Sequence, residues 1–501
     1  MNSIRQIYQP TISQAKPTTM GNGTVYAERV DFSSGSQGAY SLSNSQRLQA
    51  FSSQVVSQAS ETTRFEATRY GVYSLDSLGA AKQPEKTSQL EYVRDERLQN
   101  LQLSIETKEG DVLNIEITAD SGELDNEFAN RLVYKFDVQG DLNDQETAAL
   151  GQLLPELMSD AADFFQSPNG LVQLDSLQSV NRNQIQAVDI DLSTKNSRFD
   201  ANYAFDEANN MHTLDVNQNN YRYHVEVSGD ALFSSGDIEN NADIKQYLEL
   251  IDGVMEDHYG AGSSSQSAFF STGLMSLMSV ATQSEELSNS NNKNSDDKEE
   301  DNRLQRQAFD VLLPKAQVAV KRMFSGLPDF TAEFNSAVSS PNHKNRGELD
   351  LLNIGLSQKT DIANKGTTAG LITHIKQDID VDIDSRKHSR LPGRLQVDFE
   401  KGDYVYEVKK LHYKAQRELD ILESTTPTFA QLSQHTTGDS MRKEVRNDEV
   451  VARESKHIDH STVQDMLALV SEKQSPNDVV ETLINRQMVE EVLGQYEKLD
   501  L

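Results

Sequence analysis

The sequence predicts an α+β protein built from two tandem related units, each an antiparallel β-meander followed by an amphipathic helix. Apolar residues first alternate with polar ones, as in half-buried strands, and then recur at helical spacing. The segment Tyr134 to Asp141 is echoed by Tyr223 to Asp230 at a constant offset of 89 residues. Each copy runs into a helical pattern, which indicates a duplicated unit. A disordered N-terminal arm and a mixed C-terminal region ending in helices complete the predicted chain.

The charge restricts the classes of partner. The chain has 501 residues and a formal net charge of -31, with 36% hydrophobic residues. Binding to nucleic acids and anionic membranes depends on lysine and arginine, so both partners are disfavoured. Residues 1–302 hold 20 Lys and Arg against 47 Asp and Glu, so the acidity lies in the first three-fifths. A cationic partner, a metal ion or a solubilising role fits this composition.

The lack of cysteine excludes several kinds of chemistry, and the N-terminal sequence bears on the cellular compartment. The chain has no cysteine, which excludes disulfides, thiolate metal sites and cysteine nucleophiles. The residues after Met1 lack the apolar core of a secretory signal, and no apolar run reaches the roughly 20 residues of a membrane span. We therefore expect a soluble protein, cytoplasmic by default, with export without a signal as the alternative.

Residues 1–97 are rich in Ser, Gln and Thr and show no regular apolar period, which predicts a mostly disordered arm. One short helix is expected from Asn44. Leu48, Phe51 and Val55 would share one face of that helix, and it would be stable only when docked.

The first unit is predicted over residues 98–192. Two alternating runs around the turn Lys108 to Asp111 predict a hairpin, and a third strand ends at Gly140. Asn143 and Glu146 have the spacing of a helix capping box. Pro155, inside the apolar stripe of that helix, predicts a kink or a break.

This unit, through Asp137 to Glu146 and the Ala148 to Phe165 helix, resembles a domain of uncharacterised acidic proteobacterial proteins. A strand, a Gly-Asp-Leu turn, an acidic helix start and a paired-Phe helix end occur together there. The resemblance covers about residues 101–192 and is echoed at 199–259. It implies a bacterial origin and an α+β domain, and it carries no catalytic residue.

The second unit is predicted over residues 193–283 and repeats the order of the first. Its helix carries Ile244 and Ile251 where the first unit has Leu150 and Leu157. The segment Ala268 to Ala281 has apolar residues near helical spacing. Such a helix packs on its own domain or is offered to a partner.

Residues 284–302 read as an acidic low-complexity linker. The remaining 303–501 are predicted to be a mixed α/β region. A strand pair is expected at Leu395 to Phe399 and Tyr404 to Val408. One helix is expected from Ser461 or Thr462 and another from Ser475, ending at Gly494.

An alternating acidic run is the first candidate for metal binding. Asp378, Asp380, Asp382 and Asp384 alternate with apolar residues, so on a strand all four carboxylates would share one face. Such a face could bind calcium or magnesium. The alternative is a solvated strand face whose charges discourage edge pairing.

Two further patterns point to chemistry. Glu407 and Lys409, with Asp398 on the preceding strand, have the residue types of a magnesium-dependent nuclease core; the alternative is a cross-strand charge pair. His457 and His460 have helical i, i+3 spacing and could share zinc, or could be exposed histidines at a helix start.

The sequence favours a non-enzymatic acidic interaction or structural protein of a bacterium, with no assigned catalytic or cofactor-binding residue. Its expected partner is another protein, with a second copy of the chain as a further option. The alternative is a metal-dependent hydrolase or nuclease with its site in the C-terminal half. Calcium-dependent folding of the acidic half is a third hypothesis.

Overall fold

A single large β-sheet dominates the protein. The computed structural model describes residues 25–31, 42–43, 45–59, 63–73, 92–124, 127–231, 241–282, 311–338, 347–368, 370–471 and 483–501. Their fifteen strands lie in the order β1-β2-β5-β4-β3-β6 and then consecutively to β15. The strands are Val25–Asp31 (β1), Arg64–Tyr73 (β2), Tyr92–Thr107 (β3), Val112–Leu124 (β4), Glu127–Gln139 (β5), Ile185–Thr194 (β6), Arg198–Asp206 (β7), Met211–Gln218 (β8), Tyr221–Ala231 (β9), Pro328–Val338 (β10), Asp350–Thr367 (β11), Gly370–Ser389 (β12), Tyr404–Leu422 (β13), Thr426–Arg446 (β14) and Glu449–Asp465 (β15). β1 is parallel to β2, and all other neighbours are antiparallel.

The helices cover one face of this sheet. They are Ser45–Ala59 (α1), Asp144–Gln166 (α2), Ala242–Tyr259 (α3), Ser264–Thr282 (α4), Pro314–Met323 (α5), Leu467–Ser471 (α6) and Leu483–Glu497 (α7), with a 3-10 helix at Asp175–Ser179. α1 packs on α2, which lies over β3 and β6. α4 crosses β8 to β10, α3 contacts α4, α7 and β12, and α5 to α7 cover β13 and β14. One continuous apolar core lies between the helices and the sheet.

The prediction of two tandem α+β units is wrong, because strands from both predicted units and from the C-terminal region belong to one sheet. β6 pairs with β3 on one side and β7 on the other, with Ile105 opposite Val188. β9 pairs in turn with β10, where Val225 lies opposite Ala332. Two separate units would each end in a sheet edge with unpaired backbone groups. The pairings of β6 with β3 and β7 and of β9 with β10 join the strands instead, so the described strands leave no such edge between the predicted units.

The two helices that were predicted to be equivalent cover different parts of the sheet. Leu157 of α2 and Ile251 of α3 are both buried. However, α2 lies over β3 and β6 of its own meander, whereas α3 lies against β12 and the C-terminal α7. The apolar stripe of a helix specifies burial but not which strand it covers, so a shared period did not produce a shared position.

Local features of the first predicted unit are confirmed. β3 and β4 form the expected hairpin. Asn143 caps α2, with its Oδ1 accepting hydrogen bonds from the backbone N–H groups of Gln145 and Glu146. The break predicted as one outcome at Pro155 does not occur, since α2 continues through that residue.

Part of the predicted N-terminal arm belongs to the fold. The helix expected from Asn44 is confirmed as α1, and its predicted apolar residues Leu48, Phe51 and Val55 are buried. β2 joins β5 in the sheet. The rest of the predicted arm, apart from β1, residues 42–43 and 63 and the start of β3, lies outside the described residues, as does the predicted linker 284–302.

The C-terminal region contains long strands where shorter elements were expected. The helix predicted from Ser461 is wrong: β15 continues to Asp465, and only the short α6 follows. The predicted strand at Tyr404 to Val408 is confirmed as the start of β13, but Leu395 to Phe399 is not a strand, and a single bridge between Asp398 and Asp403 takes the place of the predicted pair. α7 confirms the last predicted helix, which continues beyond Gly494 to Glu497; its predicted start at Ser475 lies outside the described residues.

The apolar segment Ala268 to Ala281 forms most of α4, and its large side chains are buried against the sheet. The ring centroids of Phe269 and Tyr223 are 4.9 Å apart. The segment therefore packs within its own chain, as the first of the two interpretations predicted. Across the described ranges, no helix is long and apolar enough to cross a membrane.

Candidate functional site on the polar face of the sheet

The face of the sheet that lies opposite the helices is polar. Strand residues alternate between the two faces, and β6 shows the result: Val188, Ile190 and Leu192 are buried, whereas Asp189 is exposed and Asp191 half-buried. We call this second face the polar face. Because the helices occupy the other side, it is the surface on which a ligand can reach many strands at once.

The first part of the polar face forms a groove of about 720 Å³ that extends from β2 to β8, here called the acidic groove. Seven carboxylates and two cations line it. The carboxylates are Glu66, Glu116, Asp137, Asp189, Asp191, Asp200 and Asp215, and the cations are Arg64 and Lys135. Lys135 already lies 3.5 Å from Glu116. The groove therefore has a strong local excess of negative charge.

Two carboxylates face each other at the centre of the acidic groove. Asp191 on β6 lies directly opposite Asp200 on β7. The Arg198 guanidinium at the strand end is 2.7 Å from Asp191 and 3.8 Å from Asp200. Partial burial, and to a smaller extent the charge of Asp191, raise the pKa of Asp200, against the opposing effect of Arg198. Like charges on opposing strands destabilise each other, so a second cation would be favourable here.

Polar groups extend this centre along the neighbouring strands. Asn202 donates a side-chain hydrogen bond to Asp189. Asp215 on β8 lies 3.0 Å from His224 Nδ1 and 3.5 Å from Arg222. The acidic groove thus presents a row of acceptor oxygens across β6 to β8. Sequence reasoning did not identify these residues, although the alternation of Asp with apolar residues in β6 was the available signal.

The predicted acidic run lies on β12, with all four carboxylates on the polar face. Three of them have a lysine or arginine nearby, and Asp382 has the imidazole of His412. The distances are 2.8 Å from Asp378 to Lys376, 3.4 Å from Asp380 to Lys414, 2.5 Å from Asp382 to His412, and 2.6 and 3.4 Å from Asp384 to Arg386 and Lys410. We call this set the charge ladder. β13 places Lys414, His412 and Lys410 opposite three of the four carboxylates, so most of the ladder's negative charge has a neighbouring basic group without a metal ion.

A second groove of about 910 Å³ extends over β8 to β15 and includes part of the charge ladder. Its lining mixes Asp378 and Asp380 with Lys359 and Lys414. Asp329 also lines it, and burial raises the pKa of that carboxyl to about 6. This mixed groove lacks the one-sided charge of the acidic groove.

The three residues of nuclease type have separate partners. Lys409 is buried and its Nζ lies 3.0 Å from Asp257 on α3, with Asp500 as a second partner. Glu407 pairs with Arg442 at 3.7 Å, and Asp398 with Lys401 at 3.4 Å. This geometry favours a structural role for Lys409, because its ammonium is held between two carboxylates on the helix-covered face.

His457 and His460 lie on β15 and not on a helix. Residues three apart on a strand point to opposite faces. His457 accordingly lies 2.8 Å from Asp439, whereas His460 lies 3.7 Å from Glu491 of α7 on the other side. The two imidazoles therefore do not share a zinc position.

No protein family, curated protein or solved structure matched this chain.

Proposed function

We propose that the protein is a non-enzymatic interaction protein whose acidic groove binds a basic segment of a partner protein. The carboxylate excess of that groove carries the proposal: seven acidic side chains line a concave surface formed by seven strands, against two lining cations and the guanidinium groups of Arg198 and Arg222. Opposite charges across an interface steer association and select the partner. A row of lysines or arginines in the partner would supply the cations that the groove lacks.

The contrast with the charge ladder supports this assignment. Both regions lie on the polar face and contain regularly spaced aspartates. In the ladder, Lys410, His412 and Lys414 of β13 lie opposite the aspartates of β12. In the acidic groove, Asp191 instead lies opposite Asp200. Of these two regions, the groove keeps the larger excess of negative charge, so it gains more from a cationic ligand.

The same charge argues against phosphate-rich partners. Binding to nucleic acid depends on lysine and arginine that displace counterions from phosphates. The acidic groove offers carboxylates in those places, and each would repel a phosphate at close range. A basic protein segment is therefore the partner class that this surface favours. We further propose that this partner is met in the bacterial cytoplasm, which fractionation of native cells would test.

The experiment uses fluorescein-labelled decalysine as a defined basic segment, with decaglutamate as the negative probe. Binding to the full chain is followed by fluorescence anisotropy at a fixed salt concentration near 0.15 M, because exposed charges are strongly screened at higher salt. We expect the combined variant Asp189→Asn/Asp191→Asn/Asp200→Asn to bind decalysine about tenfold more weakly. That figure corresponds to three exposed pairs of about 0.5 kcal/mol each.

A matched control separates site binding from general attraction to an acidic protein. The variant Asp378→Asn/Asp380→Asn/Asp382→Asn removes the same charge from the same face but leaves the acidic groove intact. Its affinity for decalysine should stay within about twofold of the unaltered chain. Equal losses in the two variants would show that net charge alone determines binding. That result, or the absence of binding, would refute the proposed site.

A further inference from the structure

A second cluster of carboxylates lies away from both grooves, where the β3–β4 turn meets the start of α2. Glu109 and Asp111 belong to the turn, and Glu146 is in the first turn of the helix. One carboxylate oxygen of each residue lies within 4.8 Å of those of the other two. Three acidic groups therefore converge from two chain segments that are more than thirty residues apart.

Glu146 has an unsatisfied oxygen at this place. Its side chain is in the capping box, where Oε2 accepts a hydrogen bond from the Asn143 backbone N–H at 2.9 Å. Glu146 is 0% exposed, and its Oε1 has no hydrogen-bond partner among the described residues. A buried polar atom without a partner costs about 1–3 kcal/mol. The capping role explains Oε2 but leaves Oε1 without a ligand.

The lysine adjacent to Glu109 in sequence does not neutralise the cluster. Lys108 precedes Glu109 in the turn, but its Nζ lies 2.9 Å from Glu207 and 4.5 Å from the ring centroid of Phe205. Within the described ranges, no ion pair involves Glu109, Asp111 or Glu146. Three carboxylates thus share a small volume without a cation from the described part of the chain.

The side chain of Asp111 lies close against the backbone of residues 140 and 141. Asp111 Oδ1 accepts a hydrogen bond from the Asp141 backbone N–H at 3.2 Å, which fixes the turn against the end of β5. Gly140 has a φ of +113°, and a Cβ at this position would lie 1.8 Å from Asp111 Oδ1. Glycine is therefore required for Asp111 to lie where it does. The second oxygen of Asp111 is left for another ligand.

We propose that Glu109, Asp111 and Glu146 bind a calcium ion. Carboxylate oxygens are the ligands of hard divalent cations, and calcium takes its ligands at about 2.4 Å. Oxygens separated by up to 4.8 Å can all contact one ion of that size, since the span is about twice the bond length. Magnesium has shorter bonds and a strict octahedral geometry, so it fits this spacing less well. Water completes the coordination shell, and the ion supplies the missing partner of Glu146 Oε1.

The test is calorimetric titration of the full, chelator-treated chain with calcium chloride in 0.15 M potassium chloride. We expect one saturable site. Glu109→Gln and Glu146→Gln should each weaken it by at least about tenfold, the lower end of the loss caused by removing even an outer-shell partner of a metal. Glu146→Gln keeps an oxygen for the Asn143 N–H, so the helix cap survives. Glu109 is exposed, so its substitution tests the site without risk to the fold.

Glu106→Gln is the matched control, because Glu106 is an exposed carboxylate on β3, the strand that leads into the turn, but outside the cluster. Its titration should match that of the unaltered chain. Magnesium chloride should bind at least about tenfold more weakly than calcium. The absence of a saturable site would overturn the proposal, as would unchanged calcium affinity in Glu109→Gln. Equal or tighter magnesium binding would overturn the choice of calcium.

Discussion

Lys409 Nζ lies 3.0 Å from Asp257 Oδ1, across a sequence separation of 152 residues. The bond joins β13 to α3, which were predicted to belong to different domains. Tyr496 of α7 donates a hydrogen bond to the other oxygen of Asp257 at 3.1 Å, and Lys387 of β12 lies 3.6 Å from it. One carboxylate thus links four elements, and the C-terminal strands share a single core with the preceding helices.

The first prediction concerns the stability of this contact. Burial alone would raise the pKa of Asp257, but Lys387 and Lys409 outweigh it and lower the pKa below 3.8. Asp257→Asn should reduce the free energy of unfolding at pH 7 by about 2 kcal/mol, between the values for exposed and buried pairs. Chemical denaturation measures this loss.

The pH dependence of the Asp257 effect has a definite sign. A lowered carboxyl pKa means that the stabilisation is fully present above pH 3.8, the usual value. It is lost as the pH falls through the lower folded-state value. The difference between the unaltered chain and Asp257→Asn should therefore be the same at pH 7 and pH 5 and shrink below pH 3.8. A constant difference down to pH 2 would contradict the ion-pair explanation.

The second prediction concerns Asp160, whose ionisation should reduce the stability of the protein, whereas that of Asp257 increases it. Burial in α2 raises the pKa of Asp160 to about 7, although Ser176 hydrogen-bonds to it and lowers the pKa in part. The folded protein therefore favours the protonated form, and ionisation reduces stability as the pH rises from 4 to 7. Asp160→Asn should stabilise the protein by about 2 kcal/mol at pH 8 and by nothing at pH 4. Equal melting temperatures at pH 8 would contradict this.

The third prediction compares two helical glycines. A Cβ on Gly273 of α4 would lie 2.4 Å from the hydroxyl of the buried Tyr223, whereas a Cβ on Gly151 of α2 would lie 3.6 Å from Val56. Alanine favours helix by about 1 kcal/mol over glycine. Gly151→Ala should therefore raise stability by about 0.5–1 kcal/mol. Gly273→Ala should lower it by about 1–3 kcal/mol through overpacking. Thermal melts of both variants provide the comparison.

Local structure was largely predictable from the sequence, because it depends on period and capping. The alternation in β3 and β4 and the Asn143 cap are encoded within a few residues. The single sheet was not predictable in the same way. It depends on the pairings of β6 with β3 and of β10 with β9, and an alternating run does not specify its neighbours. A helix was predicted from Ser461 or Thr462, directly after His457 and His460, but β15 continues through all four residues to Asp465.

In the candidate sites, too, local features were predictable from the sequence and tertiary ones were not. The shared face of Asp378 and Asp382 followed from the strand period, but their neutralisation depends on the register with β13. The acidic groove depends on the register that places Asp191 opposite Asp200. Glu109 and Glu146 meet only through tertiary packing, so no local pattern could have joined them.

Carboxylate labelling of the full chain with carbodiimide and glycine ethyl ester, read by mass spectrometry with and without saturating decalysine, tests the binding site most directly. If the acidic groove is the binding surface, decalysine will reduce labelling of Asp189, Asp191 and Asp200. Labelling of Asp378, Asp380 and Asp382 in the charge ladder will stay unchanged. Uniform protection of both sets, or protection of the ladder alone, would contradict the assignment of the acidic groove as the site of partner binding.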